Sequence, residues 1–208
     1  IQDLRTPLKE WEPGVSAAGK LMITHKPSKM EFVPTSKAIK DMAVLGKTCQ
    51  WVIDDMLGKK GEAGDAEVIV RLLNRTLFNP DRTDLDKIRL IRTWKDGSLR
   101  TILSDRYAII NNCWVLEQMR KLIPGGLLSH WRGDADTIFG NVLMPDSVRL
   151  YDAEKFGCMV SVGNSEIGLR RIYTEPSAFR AICVNGCIHQ QDKGDALNRK
   201  HVGEINLD

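Results

Sequence analysis

Arginines are the residues of this chain whose type and spacing most clearly suggest chemistry, and three of them lie within residues 156–190. Arg170 and Arg171 are adjacent in a segment predicted as a strand, 167–174, so one side chain is expected on each face of a sheet. Arg180 interrupts a run, 178–184, that is otherwise apolar on both faces. A guanidinium matches phosphate oxygens with a planar fork of donors, and a buried guanidinium needs a partner. These three arginines are therefore predicted to contact phosphate groups.

An earlier segment combines cations with aromatic rings around a predicted β-hairpin. Residues 88–94 and 99–103 alternate on either side of Asp96-Gly97, a favoured pair for a two-residue hairpin turn. Cationic side chains beside rings that can stack are typical of surfaces that bind single-stranded nucleic acids. The candidates for phosphate contact or base stacking in this segment are Arg92, Trp94, Lys95, Arg100, Arg106 and Tyr107.

A second interpretation gives the same arginines a structural role. A basic hairpin has the same sequence pattern when its face is simply solvated. Arg106 and Arg180 would then pair with carboxylates and hold the sheet together. The carboxylates available for that pairing are Asp105, Glu166 and Glu175.

Small polar residues mark two turns that would shape the predicted sheet. The first turn follows an alternating strand, 156–163, and the second ends the apolar run that contains Arg180. Asparagine, serine and glycine favour turns because they form local hydrogen bonds or accept unusual backbone angles. The residues assigned to these turns are Asn164, Ser165, Gly168, Asn185 and Gly186.

Catalytic and metal-binding patterns are weak in this sequence. The possible zinc ligands are Cys183, Cys187, His189 and His201. Their spacing is not that of a paired-cysteine zinc site, so we expect no metal and no cofactor. The chain has no glycine-rich phosphate loop and no histidine in a recognisable nucleophile motif. An enzyme would need Asp105, Glu166 and His189 to converge in one concavity, and a non-enzymatic protein is the prediction.

Charge and composition limit the partners and the compartment. The 208 residues carry a formal net charge of +3, which is compatible with nucleic acid but lower than that of a strongly basic binder. No apolar run has the length of a membrane span, and no signal-peptide pattern opens the chain. Five cysteines without framework spacing favour free thiols in a reducing compartment. We expect a protein of the host-cell cytoplasm without membrane contact, and the polar end at Asp208 suggests a fragment of a longer protein.

Periodicity along the chain predicts the elements that position these residues. Residues 1–34 are interrupted by prolines and glycines and are predicted to be an irregular arm. Residues 35–80 show three helical patterns, the first of them capped by Thr35 or Ser36. Residues 87–190 show mainly period-two patterns, with one helix from Asn112 to Ile123. The prediction is an α+β fold, with a helical N-terminal half packed on a mostly antiparallel sheet from the C-terminal half, in a single domain over 35–208.

The first two predicted helices also fit a helix-turn-helix centred on Gly46. Met42, Gly46 and Val52 fall near the inner positions of that motif, whose second helix would enter a major groove. Asp54 and Asp55 on the second helix would repel phosphates if they faced DNA. A sequence-specific DNA binder is therefore one alternative.

Three short segments resemble a family of phage- and plasmid-borne proteins known mainly as a domain of unknown function. The segments are 103–107, 162–168 and 180–186, and the similarity extends over residues 35–203. Ser165-Glu166 stands where many members carry histidine or aspartate. The resemblance implies the biology of mobile genetic elements and does not imply a reaction. At the level of fold, the predicted layout is also similar to that of the Red-beta and RecT single-strand annealing proteins.

These observations lead to one main expectation about function. We expect a phage or plasmid protein that binds single-stranded DNA as a homo-oligomer and assists annealing or recombination. The expectation requires the arginines to lie together on an open surface that a polyanion can reach. A protein-binding module acting on a host or phage protein complex is the second alternative.

Overall fold

The structure is a computed structural model that describes residues 2–48, 63–151, 154–181 and 188–202. The chain divides into two compact units, Ile1–Tyr107 and Ala108–Asp208, where the sequence predicted a single domain over 35–208. Each unit contains its own β-sheet. The units are called the N-terminal unit and the C-terminal unit below.

The N-terminal unit is a mixed six-stranded sheet with helices. Its strands are β1 (Gln2–Pro7), β2 (Trp11–Val15), β3 (Leu21–His25), β4 (Met30–Pro34), β5 (Ile88–Thr93) and β6 (Ser98–Ser104). Its helices are α1 (Ser36–Leu45) and α2 (Ala63–Arg75), with a 3₁₀ turn at Leu8–Glu10. The strand order is β1-β5-β6-β4-β3-β2, in which only the β4–β6 pair is parallel among the described strands.

The core of this unit lies between the sheet and the two helices. Helix α1 begins after Thr35, whose Oγ1 accepts a hydrogen bond from the backbone N–H of Ala38 at 3.3 Å, as the N-cap prediction required. It packs beside β6, and α2 packs beside β2 and β3. Met42 and Ile69 are fully buried in the core between these elements. Burial of such apolar surface is the main stabilising contribution to the unit.

Asp41 on α1 occupies part of the edge of β6. Strand β4 pairs with β6 only at Ser98 and Leu99. Farther along β6, the Asp41 carboxylate accepts hydrogen bonds from the backbone N–H of Ile102 at 3.1 Å and from Oγ1 of Thr101 at 2.6 Å. A side chain thus takes the place that a neighbouring strand would fill.

Arg82 connects the ends of both helices of the N-terminal unit. Its Nη1 donates to the backbone carbonyl of Leu45 at 2.9 Å and to that of Thr76 at 3.2 Å. Its Nε and Nη2 donate to the Asp84 carboxylate, each at 2.7 Å. The two bonds from Nη1 satisfy carbonyls at helix C-termini, where the helix itself offers no donor. The two bonds to the Asp84 carboxylate hold the pKa of Asp84 below its ordinary value.

Replacing Asp84 with asparagine is expected to destabilise the N-terminal unit by about 1 kcal/mol at neutral pH. Because the folded-state pKa of Asp84 lies below the ordinary value of 3.8, the stabilisation is complete above that value. It is lost as the pH falls through the folded-state pKa. Urea unfolding over a pH series should therefore show the wild type and Asp84→Asn converging in acid. Asp81→Asn is the matched control, and a difference that does not shrink as the pH falls below the ordinary pKa of Asp84 would contradict the assignment.

The C-terminal unit is a second six-stranded sheet with one helix among its described residues. The helix is α3 (Asn112–Leu122), which matches the predicted helix from Asn112. The strands are β7 (Leu127–Gly133), β8 (Thr137–Tyr151), β9 (Glu154–Ser165), β10 (Ile172–Ala181), β11 (Ile188–Lys193) and β12 (Leu197–Arg199). The order is β11-β10-β9-β8-β7, and β12 also pairs with β10. Val115 of α3 packs with Ile138 and Val162, so these residues mark the helix-covered face of the sheet.

Strand β10 differs from the prediction at Glu175-Pro176. The sequence predicted that this pair separates two strands, 167–174 and 178–184, but one strand runs through it. Residues 172–174 pair with β12, and pairing with β11 begins at Ser177. Pro176 lies between these two pairings, so its lack of an N–H removes no ladder hydrogen bond. The carbonyl of Pro176 accepts a hydrogen bond from the backbone N–H of Gly194 at 2.8 Å.

The predicted fold class is wrong. Strand is the main secondary structure, and the two sheets divide between the units, so the helices are not an N-terminal half packed on a C-terminal sheet. Residues 1–34, predicted as an irregular arm, contribute four strands to the first sheet. The hairpin around Asp96-Gly97 and the helices α1 and α2 are confirmed. The predicted two-residue turn is wrong, because the backbone N–H of Trp94 donates to the carbonyl of Ser98 and the turn therefore has three residues, 95–97. Most of the predicted second helix, and with it the helix-turn-helix, lies outside the described residues. None of the described helices is long and apolar enough to cross a membrane.

Candidate nucleic-acid interface

Arg92, a predicted phosphate ligand, is fully buried in the N-terminal unit. Its Nε donates to Oδ1 of Asp3 at 2.7 Å, and its Nη2 lies 3.5 Å from Oδ2 of the same carboxylate. Asp3 is opposite Arg92 in the register of β1 and β5. Arg92 therefore has a structural role as one half of a buried ion pair, a role that the sequence had suggested for Arg106 and Arg180 and not for Arg92.

Arg100 and Trp94 contact each other within the predicted hairpin. The guanidinium carbon of Arg100 lies 4.1 Å from the centroid of the Trp94 ring, and only 1% of Arg100 is exposed. One face of the indole is therefore occupied by a cation–π contact. Lys95, in the hairpin turn, is exposed. Of this hairpin's predicted phosphate ligands, the structure places Lys95 on the surface and Arg92 and Arg100 beneath it.

Arg106 and Tyr107 follow the hairpin at the end of the N-terminal unit. Arg106 is exposed, whereas Tyr107 is buried, with 7% of its surface accessible. The guanidinium of Arg5 donates to the backbone carbonyls of Asp105 and Tyr107, which fixes this segment against β1. Burial of the Tyr107 ring does not favour a stacking role.

Arg170 and Arg171 are both exposed in the C-terminal unit. They lie in the turn that precedes β10, not inside a strand as predicted. Arg180 is half-buried within β10, opposite Phe156 of β9 and His189 of β11. The predicted arginines therefore do not form one set, since they differ in unit and in burial.

The turn Asn164-Ser165-Glu166 is a buried polar network at the start of α3. The Glu166 carboxylate accepts a hydrogen bond from the backbone N–H of Asn112 at 2.7 Å. Asn164 donates through Nδ2 to the carbonyl of Ile110 at 3.0 Å and to Oδ1 of Asn112 at 2.8 Å. Ser165 Oγ accepts from the backbone N–H groups of residues 167 and 169. The turn residues therefore anchor a helix N-terminus from a distant part of the chain.

The remaining predicted turn residues have separate outcomes. Gly168 has a φ of +76°, a left-handed backbone angle that favours glycine at this turn. Asn185 and Gly186 lie outside the described residues. Gly168 thus has the role that its position in the sequence indicated.

An aromatic row crosses the sheet of the C-terminal unit on the face opposite α3. Strand register places one residue from each of five neighbouring strands side by side in this row. The aromatic row consists of Arg132, Phe139, Gly163, Tyr173 and Asn198. Alternation along β8 and β9 puts Phe139 and Gly163 on the opposite face from Ile138 and Val162, which pack with α3.

Glycine at position 163 lets the two rings of the row approach each other. The Phe139 and Tyr173 ring centroids are 6.2 Å apart with planes 30° from parallel. A Cβ at Gly163 would lie 2.3 Å from Cε1 of Tyr173, so any larger side chain would displace that ring. Both rings are half-buried, which leaves part of each accessible. Burial is the main cause that raises the pKa of Tyr173, so its phenol is neutral at physiological pH.

A concavity of about 420 Å³ opens beside the aromatic row. Arg132 and Arg170 both line it, together with Phe139. Asp134 also lines it, but Oδ1 of Asp134 accepts from the backbone N–H groups of Asp136 and Thr137 within the β7–β8 turn. Two exposed guanidinium groups next to half-exposed rings are the combination that binds a single nucleic-acid strand by phosphate contact and base stacking.

A polar row runs parallel to the aromatic row on the same face. It consists of Ser129, Asn141, Ser161 and Glu175, aligned by the register of β7 to β10. Ser161 Oγ donates to Oδ1 of Asn141 at 2.8 Å. In β8, β9 and β10, the polar residue and the member of the aromatic row are two positions apart, which is about 7 Å along a strand. Hydrogen-bonding groups therefore lie next to the rings.

Sequence reasoning did not identify Phe139 or Tyr173. Each is an ordinary aromatic residue in a strand pattern, and Gly163 between them was assigned only to the strand before the turn. Phe139 and Tyr173 come together because β8, β9 and β10 pair in one particular register. That register was the missing information.

Catalytic and metal-binding hypotheses gain no geometric support from the described residues. In those parts of the chain, no three His, Cys, Asp or Glu side chains are placed to hold a metal ion. Cys183 and Cys187 lie outside the described residues. Glu166 is buried at the start of α3, and Asp105 is exposed in the other unit.

Comparison with protein-family models, with curated proteins and with solved structures finds no match for this chain.

Proposed function

We propose that this protein binds single-stranded DNA through the C-terminal unit, with the aromatic row as the stacking surface. The observation that carries the proposal is the placement of Arg132 and Arg170 around one concavity that also exposes Phe139. Phosphates contact the two guanidinium groups, and bases stack on Phe139 and Tyr173. The buried Arg92 and Arg100 stabilise the N-terminal unit in this scheme and do not contact the ligand.

The biological setting follows from the same proposal together with the family resemblance. The protein acts in the host cytoplasm as a phage or plasmid component and assists annealing or recombination without catalysis. A homo-oligomer would align several such surfaces along one strand, which raises the overall affinity without new contacts. Arg106, Arg171 and Lys95 are exposed and add to the attraction of a polyanion.

Two substitutions separate the electrostatic part of binding from the stacking part. Arg170→Ala is expected to reduce the slope of log affinity against log salt concentration by about 0.7, because one phosphate contact is lost. Tyr173→Leu is expected to lower affinity about tenfold at every salt concentration and to leave the slope unchanged. Fluorescence anisotropy with a labelled oligonucleotide of about 16 nucleotides measures both.

The matched control for these variants is Arg71→Ala. Arg71 is exposed on α2 in the N-terminal unit, so the substitution removes the same charge away from the proposed surface. Its salt slope should equal that of the wild type. Absence of binding by the wild type at low salt, or equal effects of Arg71→Ala and Arg170→Ala, would rule out the proposed interface.

A protein-binding module is the second candidate, and an apolar concavity favours it. The concavity measures about 430 Å³ and is lined by Leu116, Met119, Ile123, Leu128 and Val142, together with Arg120 and two glycines. Leu128 is 58% exposed, and exposed apolar surface of this kind is common at protein interfaces. Capture of one host or phage protein that Leu128→Glu abolishes and Arg170→Ala preserves would support this candidate. Equal capture by both variants would exclude the concavity as the docking site.

A further inference from the structure

The apolar concavity of about 430 Å³ in the C-terminal unit has the lining of a small-molecule site. It lies on the helix-covered face of the sheet, because Val142 is on the same side of β8 as Ile138, which packs with Val115 of α3. Phe139 and the rest of the aromatic row are on the opposite face. Pockets of this volume hold small ligands and are mostly apolar with few polar groups. The concavity can therefore hold a ligand without involving the proposed nucleic-acid interface.

Two glycines in the loop after α3 keep one wall of the concavity open. A Cβ at Gly126 would lie 2.6 Å from Cγ1 of Val142, so a larger residue would collide with the lining. Gly125 has a φ of +76°, a left-handed backbone angle that favours glycine, and a Cβ there would meet no atom within 4 Å. The loop thus approaches the sheet closely and does not fill the space beside it.

Arg120 is the one charged residue in the described lining of the concavity. It is exposed, and its guanidinium has no hydrogen bond or ion pair within the described parts of the chain. The neighbouring Lys121 instead pairs with Glu117 at 3.0 Å. A guanidinium can bind a carboxylate through two parallel hydrogen bonds. The lining therefore combines a large apolar surface with a single cationic group.

We propose that the apolar concavity binds an amphipathic monocarboxylate, such as a medium-chain fatty acid anion. The carboxylate contacts Arg120, and the hydrocarbon chain packs against Leu116, Met119 and Leu128. The flexible Met119 side chain adapts to chains of different shape. A sugar or a nucleotide would bury several hydroxyl or amide groups, and the apolar side chains of this lining offer no partners for them. The apolar side chains and the one cation thus select the class of ligand.

A series of carboxylates of increasing length tests the inference in the intact chain. Isothermal titration calorimetry with hexanoate, octanoate and decanoate should show one site per chain. Affinity should rise about fourfold for each added methylene group until the concavity is full, because each group removes more apolar surface from water. Decanol has the same chain length and no charge, and it should bind about tenfold more weakly than decanoate because it lacks the charged contact with Arg120.

Two variants locate the ligand within the chain. Arg120→Met removes the charge, keeps an apolar side chain and should make decanoate bind no more tightly than decanol. Leu128→Glu should abolish binding of both compounds, because a carboxylate would then lie in the apolar lining. The matched control is Arg71→Met, which removes an exposed arginine of the N-terminal unit and should leave both affinities at the wild-type values.

Three results would overturn the inference. Absence of decanoate binding by the wild type would reject it and leave the concavity to a protein segment. Decanoate affinity that Leu128→Glu leaves unchanged would place the ligand elsewhere on the chain. Equal loss of affinity in Arg120→Met and Arg71→Met would reject the contact between the carboxylate and Arg120. No nucleic acid enters these measurements, so their outcome is separate from that of the oligonucleotide assay.

Discussion

Replacing Glu166 with alanine is expected to lower the free energy of unfolding of the C-terminal unit by about 3 kcal/mol. The carboxylate accepts from the backbone N–H of Asn112, which is buried and has no partner inside its own helix at that position. Alanine would remove this hydrogen bond to a carboxylate and leave a buried donor without its acceptor. It would also remove a negative charge from a helix N-terminus, where the helix dipole favours it.

Amide hydrogen exchange in α3 is the direct measurement of this effect. Exchange should accelerate across α3 and β9 in Glu166→Ala, while the N-terminal unit stays unchanged. Glu117→Ala is the control, because Glu117 lies on the surface of α3 and pairs with Lys121 at 3.0 Å. That change should cost at most about 0.5 kcal/mol. Unaltered protection of α3 in Glu166→Ala would show that the helix does not depend on this contact.

Asp3→Ala is expected to destabilise the N-terminal unit by about 3 kcal/mol. The substitution removes a carboxylate from a guanidinium with no exposed side-chain surface. A buried charge that loses a partner retains the full cost of its desolvation. Urea unfolding of the intact chain measures the effect, with Glu67→Ala as control because that carboxylate is 69% exposed. Equal stability of Asp3→Ala and the wild type would contradict the structural role of the pair.

A double substitution distinguishes a buried ion pair from a phosphate ligand at Arg92. Arg92→Met added to Asp3→Ala should restore part of the lost stability, because it removes the buried guanidinium that has lost its carboxylate. The same Arg92→Met change should leave the salt slope of oligonucleotide binding unaltered. A slope reduced by about 0.7 would instead make Arg92 a contact to the nucleic acid.

Local patterns in the sequence correctly predicted several elements. Asp96-Gly97 determines its hairpin because Gly97 adopts a φ of +83°, which this turn needs and glycine supplies. Thr35 sets the start of α1 through its own side chain. In both cases the cause and the structure lie within a few residues of each other, so the sequence pattern was sufficient.

The N-terminal strands were missed because proline was interpreted as a break. Pro7 ends β1, and Pro13 lies within β2, the two edge strands of the first sheet. An edge strand has backbone N–H groups with no ladder partner, so a proline there costs little. Pro176 is tolerated inside the second sheet for a similar reason, because it lies between the segments of β10 that pair with β12 and with β11. Edge position is a property of the assembled sheet and cannot be derived from a local pattern.

The candidate interface depended on long-range information to an even greater degree. Arg92 and Arg170 carry the same functional group, and only burial separates a structural arginine from an exposed one. Phe139 and Tyr173 became a pair through their common neighbour Gly163 on the intervening strand. The sequence thus indicated the chemistry of the residues, while register and burial selected which of them face solvent.

The position of Asp41 limits how copies of this chain could assemble. Exposed strand edges are the usual templates for unwanted pairing between molecules and for growth of fibrils. Beyond Leu99, the backbone of β6 meets a carboxylate that already accepts from Ile102 and Thr101. A strand from a second molecule would have to displace this carboxylate, which discourages continuous sheets that extend from one copy to the next along β6. Contacts in a homo-oligomer are therefore expected to use side-chain surfaces instead of backbone pairing at this edge.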